Sequence, residues 1–316
     1  MSHEDRVDGP PGPPTPPLDE FALIDRLTAL LPAVADRPDV VVGIGDDAAV
    51  LDVGGPELLV ATTDAQVAGT HFRADWLSPE DVGWRALAVN VSDVAAMGGR
   101  PHTALVSLVL PPGIEVTWLE GVYRGLAEAA RAWGVAVVGG NVSRAAGGDR
   151  AARSAGNAAG GSRAVAEGVG DVSMPPARRD PFAGLVIDVT VLGAVAPERV
   201  LTRAGARPGD RVLVVGALGG AASGRHLLAG DAPDEAVDAE TREALVGRWR
   251  RPRARVDAAR AIAKTGLATA MIDVSDGFAA DLGHVCDASG VGVRVEAARL
   301  PLAPGVGAVA AAMAGR

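Results

Sequence analysis

Residues 88–98 read Ala-Val-Asn-Val-Ser-Asp-Val-Ala-Ala-Met-Gly, a run of small apolar side chains with a polar segment that ends in Asp93. The run closes a longer stretch, 79–98, whose length and composition predict a helix. Short stretches rich in Val, Leu and Thr lie on both sides of it, at 39–53, 57–63 and 102–110, and predict strands. Strands that alternate with helices of this length predict an α/β fold built of α+β layers.

Composition divides the chain into four regions. Residues 1–18 are polar and Pro-rich, which predicts a disordered arm. Residues 145–182 consist mainly of Ala, Gly, Ser and Arg, which predicts a low-complexity insertion, since structureless loops of this length are uncommon inside compact domains. Two domains are therefore expected, at 19–144 and 183–316. In the second domain the pattern predicts strands at 211–215 and 270–274 and helices at 253–265 and 278–289.

The composition of the 316 residues excludes several classes of protein. With 39 acidic and 30 basic residues the net charge is −9, so no general attraction to nucleic acid or anionic membranes is expected. Lys264 is the only lysine, and no glycine run precedes it, which excludes a P-loop. A single cysteine, Cys286, excludes a disulfide framework. Without a membrane-length apolar run or a signal-peptide pattern, the expected location is the cytoplasm.

Five polar turns that carry Asp or Asn follow apolar runs. They contain Asp46 and Asp47; Thr62, Thr63 and Asp64; Asn90, Ser92 and Asp93; Gly139, Gly140 and Asn141; and Asp273, Ser275, Asp276 and Gly277. Ligands of open α/β sheets bind beyond the carboxyl ends of strands, and carboxylates with hydroxyls gathered there suit Mg²⁺. Asp, Asn and Gly also favour turns for backbone reasons. One such turn is therefore ambiguous, whereas five in one chain favour a metal site.

Other candidate residues leave a functional and a structural interpretation open. His71 follows the Asp64 turn, where it is either a substrate contact or structural. Arg203 either pairs a nucleotide phosphate or is solvated. The glycine-rich segment 216–224 is either a phosphate-binding turn or an ordinary one. We expect Cys286 to be a buried thiol on the apolar face of a helix.

Four segments together resemble the thiamine-monophosphate kinase family of the aminoimidazole ribonucleotide synthetase superfamily. They are Gly-Ile-Gly-Asp-Asp-Ala-Ala-Val (43–50), Thr-Thr-Asp with Gly-Thr-His-Phe behind it (62–72), the 88–98 run, and Ile-Asp-Val-Ser-Asp-Gly-Phe-Ala-Ala-Asp-Leu-Gly-His (272–284). The resemblance extends over 20–144 and 185–302. It implies a two-domain aminoimidazole ribonucleotide synthetase-like fold. It also implies an ATP-dependent kinase that converts thiamine phosphate to thiamine diphosphate by direct in-line transfer over several Mg²⁺ ions.

The resemblance assigns roles to residues of this chain. Implied metal ligands are Asp47, Thr62, Thr63, Asp64, Asp93, Asn141, Asp273 and Asp276, and Asp93 is the residue expected to be indispensable for catalysis. Implied ATP contacts are Gly140, Asn141, Arg203 and Ser275, and His71 is the implied substrate contact. The resemblance further implies that 19–144 bind ATP and Mg²⁺ and form a homodimer. The expected partners are ATP and thiamine phosphate, without nucleic acid or membrane.

Two departures from the family pattern leave alternatives open. Asn141 stands where the family usually has Asp, so one negative charge is lost. The family's later Gly-Gly-Glu-Asp-Tyr-Glu motif and its late aromatic residue have no counterpart after Leu300. We therefore expect the second domain to be truncated, with an apolar edge exposed. The alternatives to an active kinase are a catalytically impaired nucleotide- and Mg²⁺-binding relative and a superfamily member with another acceptor.

Overall fold

The structure, a computed structural model, describes residues 37–145 and 182–315 together with Ile24 and Thr28. The chain divides into two compact units, 1–38 and 39–316. In the first unit the Thr28 hydroxyl donates a hydrogen bond to the Ile24 carbonyl oxygen at 2.9 Å. The arm predicted at 1–18, and all but the ends of the insertion predicted at 145–182, lie outside the described residues. The elements below belong to the second unit.

A six-stranded mixed sheet forms the centre of the second unit, with the spatial order β1-β2-β3-β6-β4-β5. Neighbouring strands are antiparallel except for β4 and β5, which are parallel. The last strand lies between β3 and β4, so residues from beyond the predicted insertion complete the middle of the sheet. The strands predicted at 39–53, 57–63 and 102–110 are confirmed, the first as two strands. The bounds of the six strands are β1 Val40–Val42, β2 Ala49–Leu51, β3 Leu58–Val67, β4 Arg100–Leu110, β5 Ala136–Arg144 and β6 Val186–Val195.

The helix predicted at 79–98 is confirmed as α1 (Pro79–Ala96). It begins at a capping box, in which the Ser78 hydroxyl accepts from the Asp81 backbone N–H and the Asp81 carboxylate accepts from the Ser78 N–H. Its apolar side packs on β3, β4 and β6, more extensively than any other described helix packs on the sheet. This packing fixes Asp93, in the last turn of α1, relative to the strands.

The second helix, α2 (Val116–Trp133), packs against α1 through glycines. A Cβ atom on Gly125 would overlap the backbone carbonyl group of Glu80. In the same way, a Cβ atom on Gly83 would overlap the Val122 carbonyl group. The two helix backbones are therefore in direct contact, and the contact requires that both positions lack a side chain.

Five further helices follow the sheet in the described chain. They are α3 (Gly220–Ala229), α4 (Ala239–Arg250), α5 (Val256–Thr265), α6 (Phe278–Ser289) and α7 (Val306–Ala314), which confirms the two helices predicted in this region. Leu227, Leu245 and Val309 of α3, α4 and α7 form a small second core. Val256 and Ala259 of α5 belong instead to the main core beside the sheet. No helix among the described residues has the length and apolar character needed to cross a membrane.

Tryptophan side chains fasten the connection between α4 and α5 to the first two helices. The rings of Trp84 and Trp133 lie 5.0 Å apart. Trp84 donates its indole N–H to the Pro252 carbonyl oxygen at 2.8 Å, and Trp133 donates to that of Ala254 at 3.3 Å. Arg251 adds ion pairs to α1 and α2. The segment that joins the second core to α5 is therefore held against the helix layer.

Two strands predicted from the apolar pattern are wrong. Residues 211–215 and 270–274 are irregular and form no ladder with a described strand, and the side chain of Leu213 is 83% exposed. A strand needs a neighbouring backbone that takes up its N–H and C=O groups. Residues 270–274 have one such pairing with a neighbouring segment, in which the Met271 N–H donates to the Thr202 carbonyl oxygen at 2.9 Å. The apolar pattern predicts an extended chain, but it does not predict whether another segment pairs with it.

We expect Gly125→Ala to lower the free energy of unfolding by about 1–3 kcal/mol, the usual range for overpacking, because the added methyl group meets the Glu80 backbone. Gly247→Ala is the matched control. It also lies within a helix, α4, but has open space around its Cβ position, so better helix propensity should stabilise it by up to about 1 kcal/mol. Urea titration followed by circular dichroism measures both, and equal midpoints would contradict the direct contact of the two helices.

Candidate functional site

The end of α1 and the middle of β3 meet at the candidate site. Leu58 and Val60 of β3 point toward the helix layer, and the two-residue period of a strand puts Thr62 and Asp64 on the same face. The Thr62 hydroxyl donates a hydrogen bond to Asp93 Oδ2 at 2.9 Å. Two of the predicted turns, far apart in sequence, are therefore in direct contact.

The turn before β2 carries Asp46 and Asp47, and Arg203 holds both. The Arg203 Nη2 atom lies 2.7 Å from Asp47 Oδ1, and its Nε atom lies 3.3 Å from the same oxygen. The Arg203 backbone N–H donates to Asp46 Oδ2 at 3.0 Å. The Asp47 side chain is only 2% exposed, and its second oxygen, Oδ2, has no hydrogen-bond partner. Asp46 thus holds a backbone group, while Asp47 faces the site.

Asp273 reaches the same place from the irregular segment before α6. Its Oδ2 accepts a hydrogen bond of 2.6 Å from the hydroxyl of Ser92, the residue before Asp93. The turn after Asp273 is stabilised by Asp281 in the first turn of α6. The buried Oδ2 atom of Asp281 accepts from the backbone N–H of Ser275 at 3.0 Å and of Gly277 at 3.1 Å. Residues 275 and 276 are exposed beside it. The turn predicted at 273–277 is therefore held at both ends.

Burial and mutual repulsion raise the pKa values of the central carboxyl groups. Burial is the largest cause, and it raises the pKa of Asp47 to about 7 and that of Asp93 to about 8. The charge of Asp273 raises both further, and burial raises the pKa of Asp273 itself. The hydrogen bond and charge of Arg203 oppose the rise at Asp47. Asp47, Asp93 and Asp273 are thus electrostatically coupled, and we call them the carboxylate cluster.

His71 and Gly140 each make a defined local contact. The Nδ1 atom of His71 accepts a hydrogen bond from the Val67 backbone N–H at 3.0 Å, which fixes the ring. Burial raises the pKa of Asp64, and the charge of His71 is the largest influence that lowers it. Gly140 lies on the exposed edge strand β5, where a Cβ atom would overlap the Val106 carbonyl group. Glycine there allows the edge strand to approach β4.

Two of the predicted ligands lie on the opposite face of the sheet. The Thr63 hydroxyl donates to Asp188 Oδ1 on β6 at 3.0 Å. Asn141 pairs in register with Ser107, which pairs in turn with Asp188, so these side chains form a polar row across that face. The structure therefore separates Thr63 and Asn141 from Asp93, which lies on the helix side.

Three polar residues received no role from the sequence but contact the predicted ligands. Ser92 binds Asp273, Asp281 holds the turn after it, and Asp188 binds Thr63. Ser92 and Asp281 lie inside recognised motifs, so the motif context was a signal for them. Asp188 gives no such signal, because it lies within an apolar strand and only the sheet register brings it beside Thr63.

The oxygen atoms of the carboxylate cluster are ligand atoms that fit Mg²⁺. Carboxylate and hydroxyl oxygens are the ligands that this ion takes, and Asp47 Oδ2 is a buried carboxylate oxygen that lacks a partner. Within the described ranges, no group of three or more His, Cys, Asp or Glu side chains is placed so that it could hold a metal ion. This agrees with the habit of Mg²⁺, which binds one or two carboxylates and takes its other ligands from water and substrate phosphates.

Two family models match the chain. The N-terminal domain of AIR synthase related proteins matches residues 45–160, and the C-terminal domain of the same proteins matches residues 207–311. The thiamine-monophosphate kinase of Aquifex aeolicus is 36% identical over 286 residues, which are 90% of this chain and 76% of that protein. The enzyme of the same name from Bacillus subtilis is 32% identical over 285 residues, which are 90% and 75% of the two chains.

Solved structures agree with these sequence matches. The structure of AaThiL complexed with AMPPCP and TMP superposes with a TM-score of 0.71 at 32% identity and covers 92% of this chain and 77% of that one. The Aquifex aeolicus thiamine monophosphate kinase structure gives 0.68 at 31% identity, with 92% and 79% covered. The expected two-domain fold is thereby confirmed. On its motifs, fold and relatives, the chain belongs to the thiamine-monophosphate kinase family of the AIR synthase related proteins.

Proposed function

We propose that this chain is an ATP-dependent kinase that phosphorylates thiamine phosphate to thiamine diphosphate over a Mg²⁺ cluster. The observation that carries the proposal is that distant parts of this chain come together, with the Thr62 hydroxyl on Asp93, the Ser92 hydroxyl on Asp273, and the charge of Asp273 acting on Asp47. The complex of a relative with AMPPCP, an ATP analogue, and TMP supports the same pair of ligands here. No P-loop lysine is available, so the negative charge of the phosphates needs another source of compensation.

Mg²⁺ would supply that compensation. Bringing two phosphates together is mainly a problem of positioning and of electrostatic stabilisation, and a bound metal ion neutralises charge on both. The attacking atom is an ionised phosphate oxygen, so the direct in-line transfer that we propose needs no strong general base. Asp47, Asp64, Asp93, Asp273 and Asp276 are the proposed carboxylate ligands, with Thr62 beside them. Proposed nucleotide contacts are Arg203, Ser275 and Gly140, and His71 is the proposed acceptor contact.

A homodimer is the second part of the proposal. The helix α1 covers one face of the sheet, whereas on the other face Leu105 is 42% exposed and the row of Asp188, Ser107 and Asn141 crosses between the strands. A second copy on this face would bury the apolar side chain and provide polar partners for the row. Thr63 and Asn141 would then act from an interface rather than from the carboxylate cluster.

ADP release measured with and without acceptor tests the kinase directly. We expect ADP release that requires both Mg²⁺ and thiamine phosphate, because the transferred group needs an ionised phosphate acceptor. Unphosphorylated thiamine should not support turnover. Nucleotide binding without turnover would instead favour a catalytically impaired relative, and turnover only with a different acceptor would favour another superfamily activity.

In the same assay, Asp93→Asn should lower kcat at least about 100-fold, equivalent to about 2.7 kcal/mol, since it removes a central charge of the carboxylate cluster. Asp257→Asn is the matched control, because this aspartate is exposed in the first turn of α5 and lies outside the candidate site. It should retain wild-type kcat. Near wild-type kcat for Asp93→Asn at saturating Mg²⁺ would contradict the assigned role.

Sedimentation velocity tests the dimer. The wild type should sediment as a dimer, and Leu105→Asp should sediment as a monomer, because a buried carboxylate would be placed in the interface. Leu213→Asp is the control, since this side chain is 83% exposed and lies outside the sheet. A monomeric wild type, or a Leu105→Asp variant that stays dimeric, would contradict the use of this face.

A further inference from the structure

Arg203 and Asp47 form the most buried ion pair among the described residues, with side chains 19% and 2% exposed. The contact is one-sided. Both Arg203 nitrogens approach Oδ1, at 2.7 and 3.3 Å, instead of taking one carboxylate oxygen each. The other oxygen, Oδ2, is buried and has no partner. Arg203 thus compensates only one of the two Asp47 carboxylate oxygens.

The backbone of the loop that carries Arg203 is anchored independently of the Arg203 guanidinium. The Ser289 hydroxyl at the end of α6 donates to the Arg203 carbonyl oxygen at 3.1 Å and accepts from the backbone N–H groups of Gly205 and Ala206, each at 3.1 Å. The Arg203 backbone N–H is held by Asp46. By contrast, the only hydrogen bonds of the guanidinium within the described chain go to Asp47. The side chain can therefore leave Asp47 while its loop stays in place.

A guanidinium and a metal ion compete for the same carboxylate. A divalent cation that takes Asp47 as a ligand would share the carboxylate with a positive charge that already lies 2.7 Å from Oδ1, and two cations on one carboxylate repel each other. Among the described residues, Arg203 is the one basic side chain that hydrogen-bonds a carboxylate of the cluster. Occupation of Asp47 by metal should therefore expel the guanidinium.

We propose that Arg203 is a built-in counter-ion of Asp47 that an entering divalent cation displaces, which releases the guanidinium toward the phosphates of the nucleotide. The inference rests on the proposed function, in which these carboxylates hold Mg²⁺. Because the loop is anchored by Ser289 and Asp46, the released group stays at the site, where Arg can pair a phosphate bidentately. The Arg203 side chain then couples metal entry to phosphate binding. Toward the metal, Arg203 is a positioning residue, because it acts through Asp47.

The test is a Mn²⁺ titration of the nucleotide-free protein, with free Mn²⁺ measured by electron paramagnetic resonance at mildly alkaline pH. Arg203→Gln, which removes the competing charge, should bind Mn²⁺ about tenfold more tightly than the wild type. Arg203→Lys retains a charge without the planar fork and should lie between the two. Arg207→Gln is the matched control, because it removes an exposed positive charge from the same loop and should bind as the wild type does.

Thermal unfolding supplies the second readout, which does not depend on activity. Without metal, Arg203→Gln should have a lower Tm than the wild type, because Asp47 loses its counter-ion. Added Mn²⁺ should raise its Tm by more than that of the wild type, as tighter binding requires. Mn²⁺ affinity in Arg203→Gln that is equal to or weaker than wild type would overturn the inference alone. Absence of Mn²⁺ binding in every variant would overturn it together with the metal site of the proposed function.

Discussion

The carboxyl groups of Asp47, Asp93 and Asp273 lie in one largely buried place, and the electrostatic cost of keeping them there governs the arrangement around them. Burial favours the neutral form of each group, and their mutual repulsion adds to that preference. Each carboxylate is accordingly provided with one strong donor: Arg203 for Asp47, the Thr62 hydroxyl for Asp93 and the Ser92 hydroxyl for Asp273. The donors reduce the cost without removing the charge that a metal would use.

Because the carboxylates repel one another, the elements that carry them must be held in place by the rest of the fold. The glycine contact between α1 and α2, the capping box of α1 and the packing of α1 on the sheet fix Asp93 and Ser92. The tryptophan hydrogen bonds hold the connection that leads into α5. Asp281 and Ser289, at the two ends of α6, fix the Asp273 turn and the Arg203 loop. Long-range packing thus determines the geometry of a site whose ligands lie in short turns.

Local signals in the sequence predict most strands of the sheet and the helix α1 that packs on it. The helix predicted at 79–98 corresponds to α1, because its composition and its capping box at Ser78 are both local. The strands predicted at 211–215 and 270–274 fail because pairing partners are not a local property. Thr62 and Thr63 are adjacent and equally polar, so the motif does not distinguish them, but the strand period places them on opposite faces. The Arg203–Asp47 pair spans 156 residues, and no spacing rule could have joined its members.

We expect the carboxylate cluster to destabilise the folded protein when it is ionised, and a bound divalent cation to relieve that repulsion. The folded-state pKa values of Asp47, about 7, and Asp93, about 8, lie above their ordinary value of 3.8, so the folded protein binds more protons than the unfolded chain between those limits. The stability that these groups contribute is therefore present at low pH and lost as the pH rises through the folded-state values.

The most direct test is the free energy of unfolding between about pH 5 and about pH 8, measured with a chelator and with saturating Mg²⁺. With the chelator, stability should fall over this range by more than about 1.4 kcal/mol, the equivalent of one pKa unit. Mg²⁺ should abolish or reverse the fall, because it binds the ionised carboxylates of the folded protein. The same pH dependence with and without Mg²⁺ would contradict the account.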